Sequence, residues 1–287
     1  MNTKFFAIVI AVVALFCPSL KAQTKPVENA LLWEVSGKGL SKPSYIYGTF
    51  HIMCNDAFSI PQNLKAAINK ASRVTFEVDL SDSTYMTQIK QSMVSAVPMS
   101  KKLTSQQFNS LDSVLTLKLS YSLKQLDKLS IQAISSLLAL KVLPCAETKS
   151  YEAELLKLAK EQNKTIGGLE TVKFQMECYT KAYSDQYMFN QTLHMDNMAT
   201  DLDTMMAMYN KQDINGLYNY TTDNAHTEPQ TEKWLLQTRN TNWAELMPTL
   251  MQKESNVFAV GSAHLAGKTG IITLLRAQGY TVKPLYK

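Results

Sequence analysis

The sequence predicts an α/β protein with a mixed, largely parallel central sheet, built from N- and C-terminal strands and interrupted by a large helical insertion over about residues 83–255. Three observations predict it. Three β-prone runs lie near the start, LLWEVSG, SYIYGTFH and RVTFEVDL, each bounded by turn signals. The second and third flank a helix-like segment, and strand–helix–strand is the unit that sets strands parallel. The closing stretch, NVFAVGSAHLAGKTGIITLLRAQGYTVKPL, again reads strand, glycine-containing turn, helix, strand.

The elements follow in order. The Gly-Lys-Gly run after LLWEVS, with Pro43 beyond it, predicts a hairpin between the first two strands. Pro61 opens a helix whose apolar positions Leu64, Ala67, Ile68 and Ala71 recur at helical spacing. From Ser83 to Asn163 the chain reads as mainly helical. Ser105 begins a capped segment through Leu117, Lys128–Val142 is an apolar helix ended by Pro144, and Ser150 reads as the N-cap of YEAELLKLAKEQ. Glu152 and Glu154 fall in that helix's first turn, where the helix dipole favours carboxylates. KTIGGLE is a short strand, Thr171 to about Lys253 is helical and rich in Met and Tyr, and a last helix runs from about Thr269 to Gln278. No internal repeat and no low-complexity tract interrupts this order.

Residues 1–22 have the layout of a secretory signal peptide: Lys4, an apolar stretch from Phe5 to Phe16, and a small residue at Ala22. The apolar stretch is shorter than the ~20 residues of a membrane span. The reading is therefore cleavage after Ala22, Gln23 as the mature N-terminus, one domain over residues 23–287, and an exported protein, periplasmic or extracellular, with no stable membrane insertion. Phe16 before Cys17 argues against a lipoprotein, whose acylated cysteine normally follows a small residue. Removing Lys4 and Lys21 takes the 29 basic residues to 27 against 24 acidic ones, a balance that gives no reason to expect a nucleic-acid partner. Cys54, Cys145 and Cys178 remain. In an oxidising compartment one disulfide is expected, and the loop-like contexts HIMCND and VLPCAE favour Cys54 with Cys145; buried free thiols are the alternative.

The chemistry-bearing pattern is a repeated Gly-x-x-His. Gly48-Thr49-Phe50-His51 and Gly261-Ser262-Ala263-His264 each end a β-prone run, and they hold two of the four histidines. Open α/β sheets bind ligands beyond the carboxyl ends of their strands, so both imidazoles are expected in one crevice. Glu77 in RVTFEVDL supplies a carboxylate from a third strand. Two neutral imidazoles and a carboxylate suit a divalent transition metal such as Zn, Mn or Co, and a metal-bound water is a nucleophile near neutral pH. Ordinary strand-end histidines with satisfied hydrogen bonds are the competing reading. Glu170 ends KTIGGLE, where a helix-cap role is equally open. Arg239 and Asn240 form a polar pair between apolar segments. His194 and His226 share no repeated context and receive no role.

The two Gly-x-x-His motifs, VTFEVDL, GGLETVKFQ, the Arg239-Asn240 pair and GSAHLAGKTGIITLLRAQGYTV together resemble the TraB/GumN family, which includes the Tiki proteins and is similar in fold to the erythromycin-esterase and ChaN-like group. The resemblance spans nearly the whole mature chain, strongest at both ends and loose over 83–142 and 181–230. Phe50 stands where the family often has Ile or Met, and Ser262-Ala263 where Ala-Gly is common; neither change removes a ligand. The resemblance implies a metal-dependent hydrolase, a peptidase acting on a peptide or small molecule. It implies His51, Glu77 and His264 as metal ligands, Glu77, Glu170 and Arg239 as catalytic residues, and Arg239 with Asn240 for substrate or transition-state binding. Two alternatives stay open: a metal-free esterase-like hydrolase, and a protein that binds a peptide or small ligand without turnover.

Overall fold

The structure, a computed structural model, describes residues 26–286 apart from Pro144, Ala146, Asn224 and His226. The signal-peptide segment, Cys17 and His226 lie outside these residues.

The strands are β1 (Leu32–Ser36), β2 (Ser44–Thr49), β3 (Met53–Cys54), β4 (Arg73–Val78), β5 (Thr148–Lys149), β6 (Thr165–Glu170), β7 (Asn256–Gly261) and β8 (Thr281–Pro284). The helices are α1 (Gln62–Lys70), α2 (Tyr85–Ser92), α3 (Met99–Lys102), α4 (Ser105–Leu119), α5 (Ile131–Val142) and α6 (Tyr151–Glu161). They continue as α7 (Val172–Ala182), α8 (Asp185–Leu193), α9 (Met195–Asn210), α10 (Ile214–Thr222), α11 (Thr238–Lys253) and α12 (Ile271–Ala277).

Six strands form one sheet in the order β6-β4-β7-β2-β1-β8. β6, β4, β7 and β2 are parallel, and β1 is antiparallel to both β2 and β8. The predicted mixed, largely parallel sheet is present, and β7 returns from the far end of the chain to lie between β2 and β4. KTIGGLE, read inside the helical section, supplies the outermost strand. All six residues of β2 and of β7 are buried. Because alternate residues face opposite sides of a sheet, both faces must be covered there, which accounts for the near-continuous apolar runs in these strands.

Local sequence sets the helix starts. Pro61 precedes α1, which buries Leu64, Ala67 and Ile68. Thr104 and Gln107 form a reciprocal capping box on α4, and Ser150 accepts from the Ala153 N–H at the start of α6. Ser130 caps α5, which therefore begins three residues later than the Lys128 boundary read from the sequence. The sheet core collects apolar residues of α1, α6, α11 and α12. A second core, with Leu111, Leu115, Ile134, Leu138 and Phe189, lies within the helical section. Cys54 and Cys145 are bridged with their Cα atoms 5.7 Å apart, as the loop contexts favoured, and Cys178 is free and buried. Among the described residues no helix is long and apolar enough to cross a membrane.

Candidate functional site

Strand register sets the rim on which the site is built. Thr49 of β2 lies beside Gly261 of β7, and Val78 of β4 beside Glu170 of β6, so four adjacent parallel strands finish together. His51 follows β2 by two residues, and His264 closes a single 3-10 turn after β7. Glu77 is the next-to-last residue of β4, Glu170 is the last of β6, and α11 delivers Arg239 and Asn240.

The two motif glycines sit at points of close approach. A side-chain carbon on Gly48 would lie 2.8 Å from Leu265 Cδ1 and 3.1 Å from Ser262 Cα, so the first motif packs directly on the second. On Gly261 such a carbon would lie 3.3 Å from Glu77 Oε1, 3.4 Å from His51 Nε2 and 3.5 Å from His264 Cδ2. The three expected ligands thus ring one point on the rim.

Behind that point lies a buried charge network centred on Arg239. Its Nε and Nη2 donate to Glu170 Oε1 at 2.9 and 2.7 Å, and Nη2 also donates to Glu77 Oε2 at 2.6 Å. Its Nη1 donates to the Leu235 carbonyl at 3.2 Å and to His264 Nε2 at 3.1 Å. All five guanidinium N–H groups are therefore used. Trp243 stacks against the guanidinium and donates its indole N–H to Glu170 Oε2 at 2.9 Å. Glu77 also accepts from the Gly261 N–H at 2.8 Å and from Gln175 at 2.8 Å. Burial would raise the Glu77 pKa, but Arg239, both imidazoles and the Gly261 N–H outweigh it and hold this carboxylate well below the usual range. For Glu170 burial wins over Arg239, and its pKa is raised.

Asn240 fixes His264. Its NH2 donates to the carbonyls of Thr269 at 2.9 Å and His264 at 3.3 Å, so its oxygen faces His264 Nδ1, 2.6 Å away. Nδ1 is then the donor and Nε2 the acceptor. Burial, reinforced by the Arg239 charge, pushes the His264 pKa down to about 3 and keeps the ring neutral. The amide of Asn240 is thus engaged inside the fold. Arg239 likewise has every N–H engaged, so a substrate contact would require it to release a partner.

His51 is anchored by a residue the sequence reading assigned to another task. Its Nδ1 lies 2.9 Å from Glu152 Oε1, which also accepts from Thr49 at 2.7 Å, while Ser150 donates to Glu152 Oε2 at 2.8 Å. Glu152 raises the His51 pKa, outweighing the partial desolvation of a ring set in the cavity floor. In return His51 and Thr49 outweigh the burial of Glu152 and bring its pKa down to about 2. The pairing depends on a clip: β3 pairs with β5, and the Cys54–Cys145 bridge ties the loop after His51 to the segment before Ser150. Nothing local in the sequence separates Glu152 from an ordinary first-turn carboxylate. The missing information is the contact across 101 residues.

A cavity of about 660 Å³ opens over the rim, with His51, Arg239, Gly261 and His264 in its floor. Of the other histidines, His194 is exposed at a helix end with Nδ1 on the Asn190 carbonyl, away from the site.

The donor types suit a divalent transition metal, and two features of the cluster fit one: the convergence on Gly261 and the charge. Glu77 and Glu170 share the Arg239 guanidinium and Glu152 pairs with His51, so with the three carboxylates ionised and His51 protonated the cluster keeps one negative charge, which would become two were His51 to give up its proton to an ion. The departure is at His264, whose Nε2 lone pair is given to Arg239. Consistent with this, among the described residues no three His, Cys, Asp or Glu side chains are already grouped as a metal site.

Comparison with known proteins places the chain in a family. The family model for TraB/PrgY/gumN matches residues 31–284, and the chain belongs to that family. It is similar to Metalloprotease TIKI2 of Danio rerio, 26% identical over 325 aligned residues that cover 90% of this chain and 62% of the relative. The chain therefore spans less than two thirds of that protein's length. No solved structure gives a significant match.

Proposed function

We propose that this protein is an exported metal-dependent hydrolase of the peptidase class, with its reaction centre at His51, Glu77 and His264. The observation that carries the reading is the convergence of these three side chains, from three strand ends, on the one point that the absent side chain of Gly261 leaves open. The relative named a metalloprotease supports the reaction class. His51, Glu77 and His264 would hold a divalent ion, Zn, Mn or Co by donor type, and such an ion when bound acidifies a water to a pKa near 7. The remaining residues prepare those three. Glu152 and Asn240 each take an Nδ1, which leaves both Nε2 atoms turned inward, as outer partners of ligating histidines do. Arg239, itself held by Glu170, keeps Glu77 ionised and oriented.

A metal-free hydrolase is the second reading, and the Arg239–His264 bond favours it. There His51, paired with Glu152, would carry the proton alone. The signal-peptide layout of residues 1–22 supports export, and intact-mass measurement of the exported form should find Gln23 at its N-terminus; a retained Met1, or a lipid on Cys17, would refute this.

Elemental analysis of purified protein, combined with cleavage of a peptide library, tests the main reading. The expected result is bound transition metal together with hydrolysis, both lost in His51→Ala and His264→Ala and kept in His194→Ala. Hydrolysis that persists after exhaustive chelation would favour the metal-free reading. Absence of cleavage under metal supplementation would leave a binding protein.

A further inference from the structure

The cavity above the rim has a composition that neither the motifs nor the family relationship assigns. Its floor is the polar cluster, and its walls come from the helical section. Met93 follows α2, Met176 and Tyr183 come with α7, Met205 lies on α9, and Leu235 sits in the π-helical turn Glu232–Gln237 before α11. These side chains are half-buried and border the open volume; Met205 and Tyr183 also pack against the cores behind them. Three methionines from three different elements make an apolar wall that adapts to side chains of different shape. The described lining contains no Lys, Asp or Glu, and its charged groups are those of the cluster itself. Arg239 has no N–H to spare, and Glu152 is engaged by His51, Thr49 and Ser150. A charged side chain set against this apolar wall, away from His51, would lose its water and find no partner.

Between the apolar groups stand Ser92, Gln132, Ser136 and Thr221; the three hydroxyls donate to the Ile89, Gln132 and Leu217 carbonyls and the Gln132 amide donates to Asp185, and each side chain keeps an oxygen that can accept from an amide N–H. A hydrocarbon chain would leave those acceptor oxygens unmet. A peptide main chain would not. The volume, about 660 Å³, lies within the range of about 300–1,000 Å³ that holds a compact ligand.

We infer that this cavity selects peptide segments with uncharged, apolar side chains, and that Met93, Met176 and Met205 are specificity-determining residues. The inference rests on the hydrolase reading for its link to cleavage but is tested by binding alone. The probes are two fluorescein-labelled nonapeptides of one length, one carrying Leu, Met and Phe between serines, the other Lys and Glu at those positions, and a labelled dodecyl chain. Fluorescence polarisation is measured on chelator-treated full-length mature protein.

The apolar peptide should bind at least about tenfold more tightly than the charged one and than the dodecyl probe. Met93→Lys and Met176→Lys should each lower its affinity by a similar factor, with circular dichroism unchanged. Equal affinity for the two peptides overturns the inference, as does tighter binding of the dodecyl probe or indifference to both substitutions. Should either variant fail to fold, the wild-type comparison still decides. Tight binding of an apolar peptide that metal-loaded protein never cleaves would defeat the hydrolase reading alone. Cleavage without apolar preference would defeat this inference alone.

Discussion

His51 and His264 follow a glycine at the same spacing and leave neighbouring parallel strands at one rim, yet the His51 side chain is 65% exposed and that of His264 only 6%. Both rings are anchored through Nδ1 and turn Nε2 inward. The anchors differ. A carboxylate takes His51 and draws its pKa up, while a neutral amide takes His264 and a guanidinium at its other nitrogen drives the pKa down. Identical motifs therefore arrive as an imidazolium at the cavity rim and a neutral ring in the interior. What separates them is the third element that each meets: the disulfide-clipped start of α6 for one, α11 for the other.

Four variants break or sharpen that comparison, taken from the largest expected effect to the smallest. Arg239→Met leaves Glu77 and Glu170 buried without a counter-charge, and stability should fall by about 3–5 kcal/mol in urea unfolding. A loss below about 1 kcal/mol would show that these carboxylates do not depend on the guanidinium. Removing the bridge with Cys54→Ser and Cys145→Ser together should cost about 2–4 kcal/mol, since it frees a loop of 91 residues in the unfolded chain. In the same variant the NMR signals of the His51 ring should shift and those of His264 stay put; equal shifts in both would deny the bridge its part in holding Glu152 beside His51.

Glu152→Gln removes the charge that raises the His51 pKa. In metal-free protein, an NMR titration should then place the His51 midpoint closer to the ordinary histidine value, while His264 stays neutral to low pH. The sign follows from linkage. A folded pKa above the unfolded one contributes stability that is complete below the unfolded value and lost as pH rises through the folded one, and Glu152→Gln should remove that pH dependence. An unmoved midpoint would show that Glu152 does not govern His51. Gly261→Ala should change stability least, by under about 1 kcal/mol, because its φ of −53° suits alanine. Its methyl group nevertheless enters the space between Glu77, His51 and His264. Metal uptake should drop sharply in an otherwise normal protein, and undiminished uptake would place the ion elsewhere.

The sequence by itself determined the frame of this protein. Period-two and period-3.6 apolar patterns located the hairpin, the β2–α1–β4 unit and the closing β7–α12–β8 unit, because local burial and turn chemistry are written in neighbouring residues. The repeated Gly-x-x-His marked two strand ends, and the contexts of Cys54 and Cys145 favoured the bridge that forms. Glu170 could be read as a helix cap and Arg239 only as half of a polar pair until β6 and α11 brought them within hydrogen-bonding distance. Glu152 was visible as a first-turn carboxylate, and its hold on His51 was not. Asn240 was visible as half of a polar pair, and its hold on the His264 ring was not. Those roles depend on pairings across 24 to 162 residues, created by strand order and one disulfide. Whether a histidine is charged, or an arginine free to meet a ligand, depends on which distant groups share its low-dielectric surroundings, and only the tertiary structure supplies those neighbours.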